Sequence, residues 1–259
     1  MLADLQRLWR YRELLWTLAW RELLSRYKQS FLGPVWALLQ PLSLMLIFTA
    51  VSSFIAIPSD GIPYPLFSYA ALLPWTMITN ALAMATPSIV GNAAIVKKID
   101  FPREILPIAA VLVSLVDFAM AFVVLLGLAL YYGFFPGWTM LLVPLLLALE
   151  LAFTIGIALI TSALGTFKRD IVFAAVFLLQ LWMYASPVIY PLSAVPERWR
   201  EVYLMNPMAG LISAFRDVMV HQRVPDAALL VPTAIGAVTA LVVGAAIFKR
   251  LERYYADVV

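Results

Sequence analysis

Residues 105–132 read ILPIAAVLVSLVDFAMAFVVLLGLALYY, a run of 28 residues whose one charged side chain is Asp117. A helix needs about 20 consecutive apolar residues to cross the ~30 Å hydrocarbon core of a bilayer. The run is long enough to do so, and it predicts a transmembrane helix.

The composition of the whole chain also indicates a protein that lies in a lipid bilayer. Of 259 residues, 64% are apolar and 13% are charged, against about 45–50% and about 25% in soluble domains. The mean hydropathy of +0.93 excludes a water-soluble enzyme and a disordered chain. The net charge of +3 does not come from basic residues clustered on a soluble face, so nucleic acid is not predicted as a partner.

Five further runs have the same apolar character, so we predict an all-α integral membrane protein with six transmembrane helices. The predicted spans cover residues 35–57, 66–90, 105–132, 138–165, 171–190 and 227–248. Ser186, Pro187 and Pro191 predict a break at the end of the fifth span. The chain therefore divides into an N-terminal cytoplasmic segment, residues 1–28, and a six-span domain, residues 29–259.

The positions of the basic residues predict the orientation. Fourteen of the 18 Lys and Arg residues precede span one, follow span six, or lie between spans two and three or four and five. Cytoplasmic loops are enriched in these residues, so both termini are predicted to be cytoplasmic. The other four, Arg198, Arg200, Arg216 and Arg223, share one long outer segment, where the rule is weakest.

The first 28 residues predict an amphipathic helix. One arc of it holds Leu5, Leu8, Trp9, Leu15, Trp16, Ala19, Trp20 and Leu23. Arg7, Arg10, Thr17 and Arg21 fall opposite, whereas Arg12, Leu14 and Leu18 depart from the pattern. The pattern is typical of a helix on the inner membrane surface, with Trp at headgroup depth and Arg facing lipid phosphate or a partner. The alternative is that this segment only anchors the first transmembrane helix and contacts no partner.

The outer segment at residues 187–225 is too long and too apolar for a simple loop. Asn206 followed by Pro207 predicts the start of a helix. A helical stripe follows, made of Leu211, Ile212, Phe215, Val218 and Met219. Two interpretations stay open: a re-entrant helix that dips into the outer leaflet and acts in a gate, and a helix that lies flat in the interface.

Motifs for chemistry are missing from the sequence. It has no G-x-x-x-x-G-K-[ST] loop for ATP phosphates and no G-x-S-x-G or H-E-x-x-H motif, so no catalytic residue is predicted. With no cysteine and one histidine, His221, no metal site is predicted either. The redox compartment cannot be inferred.

Two acids are predicted inside the membrane, Asp117 in the third span and Glu150 in the fourth. An ionised group there costs about 2.5–3.5 kcal/mol on insertion scales. Neither span offers a basic partner, so Ser114, Thr154 and Thr161 are the predicted hydrogen-bond partners. Three roles stay open: structural pairing, lining of a pathway, and proton coupling.

Aromatic residues gather at the outer ends of the spans. The cluster holds Trp75, Trp182, Tyr184, Tyr190, Trp199 and Tyr203. Such residues commonly anchor helices at the interface. They are also a surface along which a sugar polymer slides, because ring faces stack on C–H patches without fixing a register. The inner loop 94–104 mixes both charge signs with Ile99 and Phe101, which is typical of a docking element or of an ordinary charged turn.

Five motifs of the chain resemble one family, in order and with matching spacing. They are Arg26-Tyr27-Lys28-Gln29-Ser30-Phe31-Leu32-Gly33-Pro34, Leu73-Pro74-Trp75, Val96-Lys97-Lys98 through Phe101-Pro102-Arg103-Glu104, Ser186-Pro187-Val188-Ile189-Tyr190-Pro191 and Asn206-Pro207-Met208. The chain is similar to the transmembrane subunits of type-2 ABC exporters for polysaccharides, the Wzm and TagG group that moves O-antigen, capsule or teichoic acid.

The resemblance implies a bacterial inner-membrane homodimer that encloses a channel for a lipid-pyrophosphate-linked glycan. Two separate ATPase subunits would bind ATP and Mg, and this chain would carry no cofactor. The implied coupling element is Val96, Lys97, Lys98, Ile99, Asp100, Phe101, Pro102 and Arg103. The implied interface helix carries Trp9, Trp16, Arg21 and Arg26. The expected channel or gate residues are Trp75, Trp182, Tyr184, Ser186, Pro187, Tyr190, Pro191, Asn206 and Pro207, with re-entrant helices in 187–210.

Two other functions stay open. A proton-coupled secondary transporter or flippase would use Asp117 and Glu150 as its relay, although the two three-span halves show no evident similarity. A membrane scaffold without transport activity is the third interpretation. The sequence does not distinguish an O-antigen from a teichoic acid or a capsule polysaccharide.

Overall fold

The computed structural model describes residues 2–28 and 31–255, and all regular structure within them is helical. The α-helices are α1 Leu2–Arg10, α2 Arg12–Tyr27, α3 Val35–Ile55, α4 Tyr64–Ala85, α5 Ser88–Gly91, α6 Ala93–Lys98, α7 Ile105–Tyr131, α8 Val143–Phe167, α9 Asp170–Tyr184, α10 Glu197–Leu204, α11 Pro207–Arg216 and α12 Ala227–Glu252. The predicted all-α class is confirmed. Both chain ends, Met1 and 256–259, and the motif residues Gln29 and Ser30 lie outside the described residues.

Five helices among the described residues are long and apolar enough to cross a membrane. They are Val35–Ile55, Tyr64–Ala85, Ile105–Tyr131, Trp138–Phe167 and Ala227–Glu252. The fifth predicted span, 171–190, is a helix of 15 residues, α9, which at 1.5 Å per residue is about 22 Å long. It ends at Tyr184 because Pro187 disfavours helical geometry in the residue before it. The six-span count therefore stays a prediction.

We name the two ends of the bundle after the predicted orientation. The outer end carries residues 187–225, and the inner end carries α2 and α6. Between α9 and α12, the outer end holds a 3₁₀ turn at Leu192–Ala194, helices α10 and α11, and a π-helical turn at Asp217–His221.

Helix α4 is the centre of the bundle. In its most apolar window 83% of the residues are buried, and it packs against α3, α7, α8 and α11. The corresponding windows of α3 and α12 are each 17% buried, so these two helices present most of their surface outward. That surface is apolar, as lipid or a second membrane protein requires.

Helices α8 and α12 approach until their backbones touch. A Cβ on Gly156 would lie 2.3 Å from the carbonyl carbon of Ala240, and one on Gly244 would lie 2.2 Å from the Gly156 oxygen. Small residues at such a crossing allow close packing, which drives helix association in lipid.

Substitution of Gly244 by Ala should separate α8 from α12. Overpacking a tight site costs about 1–3 kcal/mol, and we expect a lower midpoint of thermal unfolding in detergent. Gly127→Ala is the matched control, because a Cβ there meets nothing within 4 Å and the position is also helical. Equal midpoints for the two variants would contradict the close packing.

Candidate functional site

The predicted N-terminal helix is two helices, α1 and α2, separated at Tyr11. Leu18 and Ala19 are buried against the bundle, whereas Trp9, Trp16 and Trp20 are 71%, 69% and 52% exposed. The expectation of one apolar arc is therefore wrong in detail: the aliphatic side packs on α7, and the tryptophans form a separate outward stripe. Leu18 departs from the single-arc pattern because it faces protein.

Asp117 has a basic partner, contrary to the expectation that none was available. Arg26 Nη1 lies 2.5 Å from Asp117 Oδ2, and the Tyr27 hydroxyl donates to Asp117 Oδ1. Asn80 Nδ2 donates to the same Oδ2 at 3.4 Å. The partner was missed because it lies on α2, outside the two spans that carry the acids. The ion pair fastens the end of α2 to the middle of α7 and satisfies a carboxylate that burial would otherwise make costly.

The serine and threonines expected to pair with the acids do not do so. Ser114 Oγ donates to the Val111 carbonyl, and Thr161 Oγ1 shares a 3.0 Å hydrogen bond with Thr86. Glu150 is fully buried, and in the part of the chain that the structure describes neither of its carboxylate oxygens has a hydrogen-bond partner; the same holds for Thr154 Oγ1. The two acids therefore have different environments: Asp117 is held by three donors and Glu150 by none.

The predicted coupling segment is anchored to the inner end of the bundle. Val96 and Phe101 are buried in one apolar cluster with Leu18 of α2. Arg21 Nη2 donates to Asn92 Oδ1 at 2.5 Å, which adds a polar contact just before α6. The interface helix and the coupling segment thus form one packed unit.

Residues 96–103 divide into an exposed tip and its supports. Lys97, Lys98, Ile99 and Asp100 are exposed, with Ile99 56% exposed between charged neighbours. An apolar side chain ringed by charges is suited to docking on another protein. The other four residues hold the tip: Val96, Phe101 and Pro102 are buried, and Arg103 donates through Nη1 to the Glu252 carbonyl at 2.6 Å. Within the predicted coupling segment, residues 97–100 are therefore the part accessible to another protein.

At the outer end, Arg216 holds the segment that follows α9. Its side chain is 4% exposed. Nη1 donates to the Pro187 carbonyl at 2.6 Å, Nη2 to the Val188 carbonyl at 2.7 Å and Nε to the Phe67 carbonyl at 3.2 Å. The guanidinium also lies 3.6 Å from the centre of the Phe67 ring. One arginine therefore joins α11, α4 and the Ser186–Pro191 motif.

Asn206 is a second junction, and its predicted role as a helix cap is confirmed. Its Oδ1 accepts from the Met208 backbone N–H at 3.1 Å and from Trp182 Nε1 at 2.9 Å. Its Nδ2 donates to Ser186 Oγ at 2.9 Å. The start of α11 is thereby tied to the end of α9.

Aromatic side chains line a groove of about 580 Å³ at the outer end. Trp182, Trp199 and Tyr203 lie along it together with Asn206 and Pro207. Trp75 and Phe153 meet the Trp182 ring edge-on at 6.0 Å and 5.8 Å between centroids, which fixes that ring. The groove therefore offers aromatic surface beside one polar amide.

The structure brings the predicted channel or gate residues to one end but not to one surface. Trp75, Ser186, Pro187 and Pro191 are buried, Tyr184 is exposed, and Trp182, Tyr190, Asn206 and Pro207 are half-buried. Of the buried four, Trp75 and Ser186 contact residues of the groove, whereas the Pro187 carbonyl accepts from Arg216 and Pro191 lines a separate cavity. Tyr190 links to Tyr203 through a 2.9 Å hydroxyl contact and donates to the Tyr184 carbonyl.

Comparison with known proteins gives one consistent family. A family profile described as "ABC-2 type transporter" matches residues 13–220. The O-antigen export system permease protein RfbA of Myxococcus xanthus is 32% identical over 260 residues, which are 99% of each chain. RfbA of Klebsiella pneumoniae is 28% identical over 240 residues, 92% of each chain. The polysialic acid transport protein KpsM of Escherichia coli is 22% identical over 234 residues, 90% of this chain and 91% of that one.

Replacing Asp117 by Asn should release the end of α2. Breaking a buried ion pair costs about 3–5 kcal/mol. Because the Arg26 side chain is 28% exposed, we expect the loss of stabilising free energy to be smaller than this. Amide exchange in Arg12–Tyr27 should still become at least about tenfold faster. Hydrogen–deuterium exchange of the purified protein measures it.

Asp170→Asn is the matched control, since Asp170 is exposed at the start of α9. Unchanged protection of α2 in the Asp117 variant would show that the ion pair does not hold the helix.

Proposed function

This chain belongs to the ABC-2 type transporter family of membrane proteins, and we propose that it is the permease subunit of an ATP-driven exporter that moves a lipid-linked, O-antigen-like polysaccharide across the bacterial inner membrane. The observation that carries the proposal is the similarity to an O-antigen export permease over 99% of both chains. The aromatic groove supports it, because ring faces stack on sugars of varied sequence.

We place ATP binding and hydrolysis, with Mg, in two separate ATPase subunits. The chain is a transport subunit by family, and its sequence contains no nucleotide-binding loop. The exposed tip 97–100 and the adjoining helix α2 are the proposed docking surface, on the cytoplasmic side together with both termini. A homodimer would cover part of the outward apolar surface of α3 and α12.

The outer gate is proposed to lie in residues 187–225. Helix α11 is buried on nearly all sides against α4, α8 and α12, which favours a re-entrant helix over one lying flat in the interface. The short α9, together with the chain to Tyr190, would form the fifth of six crossings. In the proposed cycle, closure of the ATPase subunits displaces α2 and the tip, and the outer segment opens for the sugar chain.

A polysialic acid-like polysaccharide is the second candidate cargo, because the chain also resembles the polysialic acid transport protein KpsM over 90% of its length. A proton relay through both intramembrane acids is less well supported. Asp117 is held in an ion pair with Arg26, although the unpartnered Glu150 leaves one acid for such a role.

Charge reversal of the tip tests the function and the docking surface together. In a strain that lacks this chain, the wild-type protein should restore surface polysaccharide, whereas Lys97→Glu with Lys98→Glu should abolish export and ATPase stimulation while leaving dimer assembly intact. Immunoblots of surface glycan and ATPase assays of the purified complex measure these outcomes. Lys168→Glu with Arg169→Glu is the control, since that pair is also exposed and follows α8.

Failure of the wild-type chain to restore any surface glycan would refute the proposed function. Normal export by the Lys97 and Lys98 variant would refute the docking surface alone.

A further inference from the structure

A second cavity of about 530 Å³ lies at the outer end, beside the aromatic groove. Asp60 from the α3–α4 loop, Arg200 of α10, Ser213 of α11 and Asp226 before α12 line it. Its volume is within the range of about 300–1,000 Å³ typical of sites for small ligands. Four separate parts of the chain meet there.

The charges that line this outer cavity balance. Three arginines, Arg200, Arg216 and Arg223, face three aspartates, Asp60, Asp217 and Asp226. Asp217 pairs with Arg223 at 2.7 Å, Asp60 accepts from Ser193 at 2.8 Å, and Asp226 caps α12. A fully charged ligand would bring an uncompensated charge into this setting, which burial penalises. The lining therefore favours a neutral ligand.

Two polar atoms in the cavity wall need a partner. Within residues 2–28 and 31–255, Arg200 Nε and Ser213 Oγ are buried without a hydrogen-bond partner. A buried polar group left unsatisfied costs about 1–3 kcal/mol. The aspartates keep acceptor capacity as well, because a carboxylate accepts about four hydrogen bonds. The site therefore suits a ligand that both donates and accepts hydrogen bonds.

We propose that the outer cavity binds a neutral sugar unit of the exported glycan. A sugar carries hydroxyls that donate to Asp60 or Asp226 and accept from the guanidinium of Arg200, a half-buried residue. Its C–H faces fit the apolar part of the wall, formed by Leu192 and Leu204. The proposal rests on the polysaccharide export function. It adds a binding site outside the aromatic groove, within the proposed gate segment 187–225, where a sugar unit is held on its way out.

The test is saturation-transfer NMR on the full-length protein in lipid nanodiscs, with maltotriose, mannotriose and chitotriose as probes. At least one trisaccharide should bind, and Arg200→Gln should weaken that binding at least about tenfold. Arg198→Gln is the matched control: it lies on the same helix, is exposed, and its guanidinium lies 5.8 Å from the Trp199 ring. Asp60→Asn, at an exposed loop position in the cavity lining, should also weaken binding, which keeps the test valid if the Arg200 variant misfolds.

Binding that is absent for all three probes, or equal in the Arg198 and Arg200 variants, would overturn the inference. Displacement of the sugar by inorganic phosphate would overturn it in favour of an anion site. Surface glycan in the complemented strain is scored separately, so loss of the cavity site with normal export is distinguished from failure of the export function itself.

Discussion

A polar group inside a bilayer is costly unless it has a partner in the protein, and the partners of Asp117 and Arg216 help to place the two ends of the molecule. Asp117 is satisfied by Arg26, which brings α2 against α7. Arg216 is satisfied by backbone carbonyls, which brings the Ser186–Pro191 motif against α4 and α11. These two arginines add specific polar contacts to the packing and hydrogen bonds that otherwise hold α2 and the outer segment on the bundle.

Helix α4 connects the two junctions. Asn80 reaches Asp117 at one end, and the Phe67 carbonyl accepts from Arg216 at the other. These positions are 13 residues apart, which is about 20 Å along a helix. Since α4 is buried on nearly all sides, a displacement of α2 would be passed through Asp117 and Asn80 to a fully packed helix that also contacts the outer segment. This is the physical route we assign to coupling between the ATPase side and the gate.

Long apolar runs and local capping signals could be predicted from the sequence. The five long helices follow from the length of the apolar runs, each with at most one charge inside it. Asn206 with Pro207 predicts the start of α11 because both effects act within three residues. The ion pair could not be predicted in this way, because 91 residues separate Arg26 from Asp117. The contacts of Arg216 could not be predicted either, because its partners are backbone carbonyls, which every residue carries. In the sequence it is one more basic residue of the outer segment. The break at Tyr11 and the split between leucines and tryptophans depend on tertiary contact with α7.

Polysaccharide export through this chain, driven by ATP hydrolysis in a partner, is what we propose. Its most direct test is translocation of a fluorescent lipid-linked glycan in sealed proteoliposomes that contain the purified permease and its ATPase subunit. We predict translocation that requires ATP, Mg and the ATPase, and that persists when the proton gradient is collapsed. Translocation by the permease alone, driven by an imposed proton gradient, would contradict the account.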